Sequence, residues 1–173
     1  MASFIAEPLS RKRIRAFTKY IRDLCGLQKI LYFPVVEFLE NMLPELVEDF
    51  NFEILEFSEM GDKEGETIPS CNSINIREDV YEKAVNGDGR ARFTILHEIG
   101  HLLLHDNDRV ALCRTSDRSS VRTFENPEWQ ADVFAGELLM CKDLIKDMSV
   151  AEIEIYCGAS HAAAECQYNQ IRR

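Results

Sequence analysis

The chain has 173 residues, enough for one domain with a sizeable core and no need of disulfides or a structural metal. Its hydrophobic content of 46% is ordinary for a globular protein, and no apolar run approaches the ~20 residues of a membrane span. The formal net charge of −10 argues against a large nucleic-acid footprint, which needs a basic stripe, and permits attraction to a basic partner.

The short apolar start is followed, not preceded, by Arg11-Lys12-Arg13, the reverse of a signal peptide. A cytoplasmic location is expected. Ser10 to about Leu27 reads as an amphipathic helix, with Ile14, Phe17, Ile21 and Leu24 or Cys25 on one face and Gly26 ending it. A second helical stretch starts at Pro34 and carries Val36, Phe38, Leu39 and Met42; Pro44 must kink or restart it. Residues 51–58 read as a strand, Gly61 to Glu66 as a charged turn, and Asn72 to Arg77 as another short strand. A sheet of 51–58, 67–70 and 72–77 follows, with the last strand expected at an edge, open to an extended peptide.

From about Gly89 to His105 the pattern is helical, and Asp88 stands at the N-cap position. Asp106 to Asn126 is a long polar stretch, read as a solvated loop or a substrate-contacting flap. A further helix runs from about Pro127 to Cys141. Two short helices, about 150–156 and 160–171, close the chain around Gly158-Ala159. The expected organisation is one domain: N-terminal helices over 1–50, a core over 51–141 and a helical pair over 142–173.

Inside the helix at 89–105 stands His97-Glu98-Ile99-Gly100-His101, the pattern H-E-x-x-H. Residues four apart share a helix face, so two imidazoles can grip one metal ion while Glu98 reaches a water beside it. The flanks are apolar on both sides, so the helix is mostly buried. Two buried histidines and a glutamate without a metal would be costly, because polar groups out of water need partners. Zinc is the default ion; the same ligands also suit manganese or iron. The six cysteines show no C-x-x-C spacing and read as reduced thiols rather than a second zinc site.

An open zinc site takes three protein ligands. His105 lies too far along the axis, since three successive turns span ~11 Å, and reads as a helix-end residue or a support for the ligands. Residue 107 is Asn, so the longer H-E-x-x-H-x-x-G-x-x-H pattern is absent. The helix after Pro127 offers Glu128 and Asp132 on one face, with Glu137 about half a turn of the circumference away. Glu128 and Asp132 are the candidates for the third ligand, and a ligating imidazole would donate its other N–H to a carboxylate of this kind. Ala131, Ala135, Gly136 and Gly100 would let the two helices approach closely.

The spacing resembles that of gluzincin peptidases, and the segments 93–105 and 126–140 look like the ImmA/IrrE family of metallo-endopeptidases. The strand at 73–76 and the lead-in Arg90-x-Arg92-Phe93 are similar too. The resemblance covers about residues 70–141. It departs from the family after Leu138-Leu139-Met140, where Cys141 replaces a proline. It implies an α+β zincin-like domain, with a short mixed sheet, the H-E-x-x-H helix and a helical tail. It also implies a zinc endopeptidase, with His97, His101 and Glu128 as ligands and Glu98 as general base, that cleaves a helix-turn-helix repressor in mobile-element or stress-response control.

Two other readings stand beside it. One is a DNA-binding regulator using the tail helices, whose few basic residues, Arg172 and Arg173, come only at the end. The other is a zinc-containing protein that binds a repressor without cutting it, against which the presence of Glu98 argues. Tyr156, His161 and Tyr168 are open to a role as oxyanion donor, and nothing in the sequence selects among them.

Overall fold

A computed structural model of the chain describes residues 3–105, 110–115 and 122–173. Strand β1 (Ser3–Ala6) leads to helix α1 (Arg11–Leu24), whose N-cap Ser10 accepts from the Arg13 N–H. The helix ends because Gly26 takes φ 70°, a left-handed conformation that glycine enters without a Cβ penalty. Ile14 and Ile21 are buried as expected; of the two residues offered at the helix end, Cys25 packs against the core and Leu24 is exposed.

The stretch after Pro34 forms α2 (Val35–Glu37), one wide π turn (Phe38–Met42) and α3 (Leu43–Leu46). Pro44 has no N–H and cannot continue the ladder. The helix accommodates it by slipping one residue, so that the Leu43 N–H reaches back to Phe38 O.

Strand β2 (Asn51–Leu55), the short helix α4 (Phe57–Met60), β3 (Gly65–Ile68) and β4 (Ser73–Arg77) then build a mixed sheet in the order β2-β4-β3. The β2–β4 pair is parallel and the β3–β4 pair antiparallel. The last strand is therefore central, not at an edge. Only the single turn Pro69–Cys71 joins β3 to β4, and so short a connection makes them antiparallel neighbours. Strand β2 takes the other side of β4, which leaves β3 as the edge beside the H-E-x-x-H helix.

Helix α5 (Glu78–Val85) precedes α6 (Gly89–Leu104), whose N-cap Asp88 accepts from the Ala91 N–H. Strand β5 (Val110–Thr115) pairs antiparallel with β1, joining Ile5 to Ala111 and Ala6 to Val110. The polar stretch after Asp106 is thus partly a strand, which its sequence did not announce. Its partner is the still shorter N-terminal segment over a hundred residues away, and local pattern carries no information on such pairing. Of the rest of the expected flap, Thr123–Glu125 form a single 3₁₀ turn, and 106–109 and 116–121 lie outside the described residues.

Helix α7 (Pro127–Leu139), short α8 (Lys142–Ile145), α9 (Val150–Cys157) and α10 (His161–Ile171) complete the α+β domain, a small zincin-like fold with a helical C-terminal end. The core joins Ile14 and Ile21 of α1, Ile95, Leu96 and Ile99 of α6, and Phe134 and Leu138 of α7. Two buried arginines tie helix ends to it. Arg22 donates to Leu138 O at 2.7 and 3.0 Å and to Ile30 O at 2.8 Å. Arg92 donates to Cys157 O at 2.9 Å and Phe33 O at 2.6 Å. Each satisfies carbonyls that a helix terminus or turn leaves without partners. Among the described residues no helix is long and apolar enough to cross a membrane.

Candidate metal centre

Helices α6 and α7 cross where both carry small residues. A Cβ built on Gly100 would stand 3.1 Å from Phe134 Cδ1 and 3.2 Å from Ala131 Cα. This close approach brings the acidic face of α7 over the histidine face of α6. Gly136 does not share in it; it faces Gln167 of α10.

The His97 and His101 rings meet edge to face, with Nε2 atoms 2.9 Å apart. Glu128 places Oε2 at 3.2 Å from His97 Nε2 and Oε1 at 3.3 Å from His101 Nε2. One ligand atom from each residue lies within 4.8 Å of the others. Tetrahedral zinc with bonds of ~2.0–2.1 Å spaces its ligand atoms about 3.3 Å apart. The donor set and its spacing therefore fit a divalent ion of that kind. Glu137 points the opposite way, into Arg11 and Arg15.

The electrostatics suit a cation. Burial disfavours a charged His97, but its hydrogen bonds to Asp132 and Glu128 outweigh this and raise the imidazole to about 9. The bonds from His101 and His97 hold the Glu128 carboxyl well below the usual range. Asp132 Oδ1 lies 2.8 Å from His97 Nδ1 and so accepts a hydrogen bond from its N–H, leaving Nε2 to face the cluster.

Glu98 lies beside the edge strand. The Thr67 hydroxyl is 2.6 Å from Glu98 Oε2 and 2.9 Å from Glu98 O; its one hydrogen goes best to the charged and closer acceptor. Gly65 leaves room for this carboxylate, since a Cβ there would meet Glu98 Cγ at 2.6 Å. His97, Glu98 and Asp132 open into a groove of about 870 Å³. Phe93, Val133, Met140 and Ala163 give it an apolar wall, and the Arg90–Glu64 pair, 3.0 Å apart, stands at its rim.

Sequence reasoning missed Thr67, Gly65 and Gln130. A strand threonine and a glycine at a strand's start carry no signal by themselves. Gln130, fully buried in a helix of apolar residues, was the readable oddity: its Oε1 is 2.8 Å from His105 Nε2. His105 is not one of the converging ligands. Its Nδ1 lies 3.0 Å from His101 Nδ1, and burial pushes its imidazole down to about 4, so the ring is neutral.

Tyr156, His161 and Tyr168 all lie outside the groove. Tyr156 is exposed, His161 pairs with Glu154 at 3.0 Å, and Tyr168 stacks under Arg172. Cys25, Cys71, Cys141, Cys157 and Cys166 are free thiols, and none joins a metal-ligand cluster among the described residues. The tail helices pack onto the core through Ile153, Cys157 and Ala164, and α10 forms one side of the groove.

An H-E-x-x-H helix beside a mixed sheet, with a carboxylate supplied by a second helix, defines a metallopeptidase-type domain. Residues 58–156 match the peptidase family model described as the IrrE N-terminal-like domain, and the chain belongs to this family. A search among curated proteins found no match.

Proposed function

We propose that this protein is a zinc-dependent endopeptidase whose substrate is a helix-turn-helix repressor, and that cleavage releases repressed genes. The observation that carries the catalytic part is the convergence of His97, His101 and Glu128 on one point, with Glu98 beside it in an open groove. The repressor as substrate rests on the family resemblance.

His97, His101 and Glu128 would hold the ion, with Asp132 orienting His97. A zinc ion there would supply Lewis acidity, polarising a carbonyl and lowering the pKa of a water to ~7. Glu98 takes a proton from the attacking water and delivers it to the departing amine, so that the peptide bond gains H and OH across its two halves. Thr67 holds the Glu98 carboxylate toward the groove. The free edge of β3 offers main-chain donors and acceptors to an extended peptide.

The test is co-expression with the helix-turn-helix repressor encoded nearest this gene, followed by a search for its fragments. Wild type should cut it, and Glu98→Gln should hold zinc and bind the repressor but cut at least about 100-fold more slowly. Equal cutting by Glu98→Gln removes the mechanism. A wild-type protein that holds zinc and binds the repressor, yet leaves it intact under inducing stress, supports a non-catalytic regulator instead. Loss of stoichiometric zinc in His101→Ala and Glu128→Ala tests the ligand set directly.

A further inference from the structure

We propose that His105 and Gln130 form a hydrogen-bonded relay that fixes His101 in the tautomer with a bare Nε2, and so sets the metal affinity of the site. The inference rests on the zinc-site reading above and assigns it two positioning residues that hold no metal themselves.

The relay can be read from its far end, where the chemistry leaves no choice. The Gln130 side chain is fully buried. One end of its amide lies 2.8 Å from Glu7 O and 2.8 Å from Phe124 O. Main-chain carbonyls only accept, so this end is the NH₂ group, and both its hydrogens are used. The other end is therefore the carbonyl oxygen, 2.8 Å from His105 Nε2. An amide oxygen also only accepts, so His105 Nε2 carries a hydrogen. The His105 ring is buried, and its nitrogens face only a neutral amide and another imidazole. A metal on His101 Nε2 leaves the one hydrogen of that ring on Nδ1, so the atom facing it, His105 Nδ1, is the bare and accepting nitrogen. That atom stands 3.0 Å from His101 Nδ1, so His101 must be the donor and carry its hydrogen on Nδ1. In the zinc-loaded site its Nε2 is the nitrogen given to the ion, and that atom is turned toward His97 Nε2 and Glu128 Oε1.

The two imidazoles are thus aimed by different devices. His97 is held by the carboxylate of Asp132, at the open side of the cluster, where that side chain is 59% exposed. His101 is held by a neutral chain running into the interior. A carboxylate at position 105 would be an unpaired buried charge, which is costly; an imidazole backed by an amide transmits the same orientation without net charge. The relay also ends on the main chain just after β1 and just before α7. The seating of the N-terminal segment is in this way joined to a metal ligand.

The test compares zinc affinity, by competition with a chromophoric chelator, for the purified full-length wild type, His105→Phe and His105→Asn. His105→Phe should weaken zinc binding by about 10- to 100-fold, as for other residues that orient a ligand. His105→Asn puts an amide oxygen near the position of Nδ1 and should recover most of that loss. In zinc-loaded wild type, long-range ¹H–¹⁵N spectra should show His105 protonated on Nε2 and bare on Nδ1; this reading does not depend on any variant folding. A folded His105→Phe with wild-type affinity, or His105 protonated on Nδ1, overturns the relay while leaving the zinc site standing. A wild type that takes up no zinc overturns the site itself, and the relay with it.

Discussion

Asp132 Oδ1 lies 2.8 Å from His97 Nδ1, across the junction of α6 and α7. The contact joins two residues that lie 35 positions apart in the sequence, and it decides which nitrogen of His97 faces the cluster. Asp132→Ala should weaken zinc binding by about 10- to 100-fold, whereas Asp132→Asn, whose amide oxygen can still accept, should lose less. Chelator competition on both proteins measures this. Equal losses would mean that charge, not orientation, is what Asp132 provides.

Zinc uptake should release a proton near neutral pH. His97 is raised from the ordinary 6.5 to about 9, because its bonds to Asp132 and Glu128 outweigh the effect of burial. A raised imidazole stabilises the metal-free fold fully below pH 6.5, and that contribution is lost as pH climbs through about 9. The metal needs His97 Nε2 bare, so it must displace this proton. Apparent zinc affinity should therefore rise with pH by up to about tenfold per unit until it levels off near 9. Calorimetry in two buffers of different ionisation heat counts the proton; a count of zero would contradict the assignment.

Thr67→Val should slow catalysis and spare the metal. The lost bond is from a hydroxyl to a carboxylate, a class worth about 1.5–3 kcal/mol, so kcat should fall by roughly 10- to 100-fold if the bond persists in the transition state. Gly65→Ala should act on the same residue by another route, since the new methyl occupies space held by Glu98 Cγ. Zinc stoichiometry of both variants should match wild type. A loss of zinc would show that the edge strand supports the ligands rather than the base.

Glu137 is the buried acid of α7, with a side chain 0% exposed and bonds of 2.8 and 2.9 Å from Arg15 and 3.3 Å from Arg11. The two arginines are about a quarter exposed and can turn to water; the carboxylate cannot. Arg15→Ala should therefore cost more stability than Glu137→Gln, about 2–4 kcal/mol against about 1–2 kcal/mol, because only the first leaves the buried charge with the single longer bond to Arg11. Urea unfolding of the two variants gives the order, and the reverse order would contradict the argument.

Gly100→Ala tests the helix crossing. On an isolated helix the change would gain about 1 kcal/mol. Here the added methyl meets Phe134 Cδ1 and Ala131 Cα at 3.1 and 3.2 Å. Pushing α7 away costs packing of about 1–3 kcal/mol and carries Glu128 with it. Thermal unfolding should show a net loss, and zinc affinity should fall too. A stabilised variant with unchanged affinity would show that the helices have room to spare.

Local pattern determined a good deal of this protein. The period of apolar residues and the caps Ser10 and Asp88 marked the helices, because helix geometry and end-capping are short-range. The four-residue spacings of His97 to His101 and of Glu128 to Asp132 put each pair on one helix face for the same reason. That the pairs meet was left to the tertiary structure, which packs Gly100 against Ala131. Strand order was equally beyond the sequence: β4 lies between β2 and β3, and β1 finds β5 across the length of the chain. Hydrogen-bonded pairing between distant segments leaves no periodic trace in either one. The supporting contacts are the clearest case. Thr67 beside Glu98 is an ordinary strand residue until folding places its hydroxyl within about 3 Å of the carboxylate.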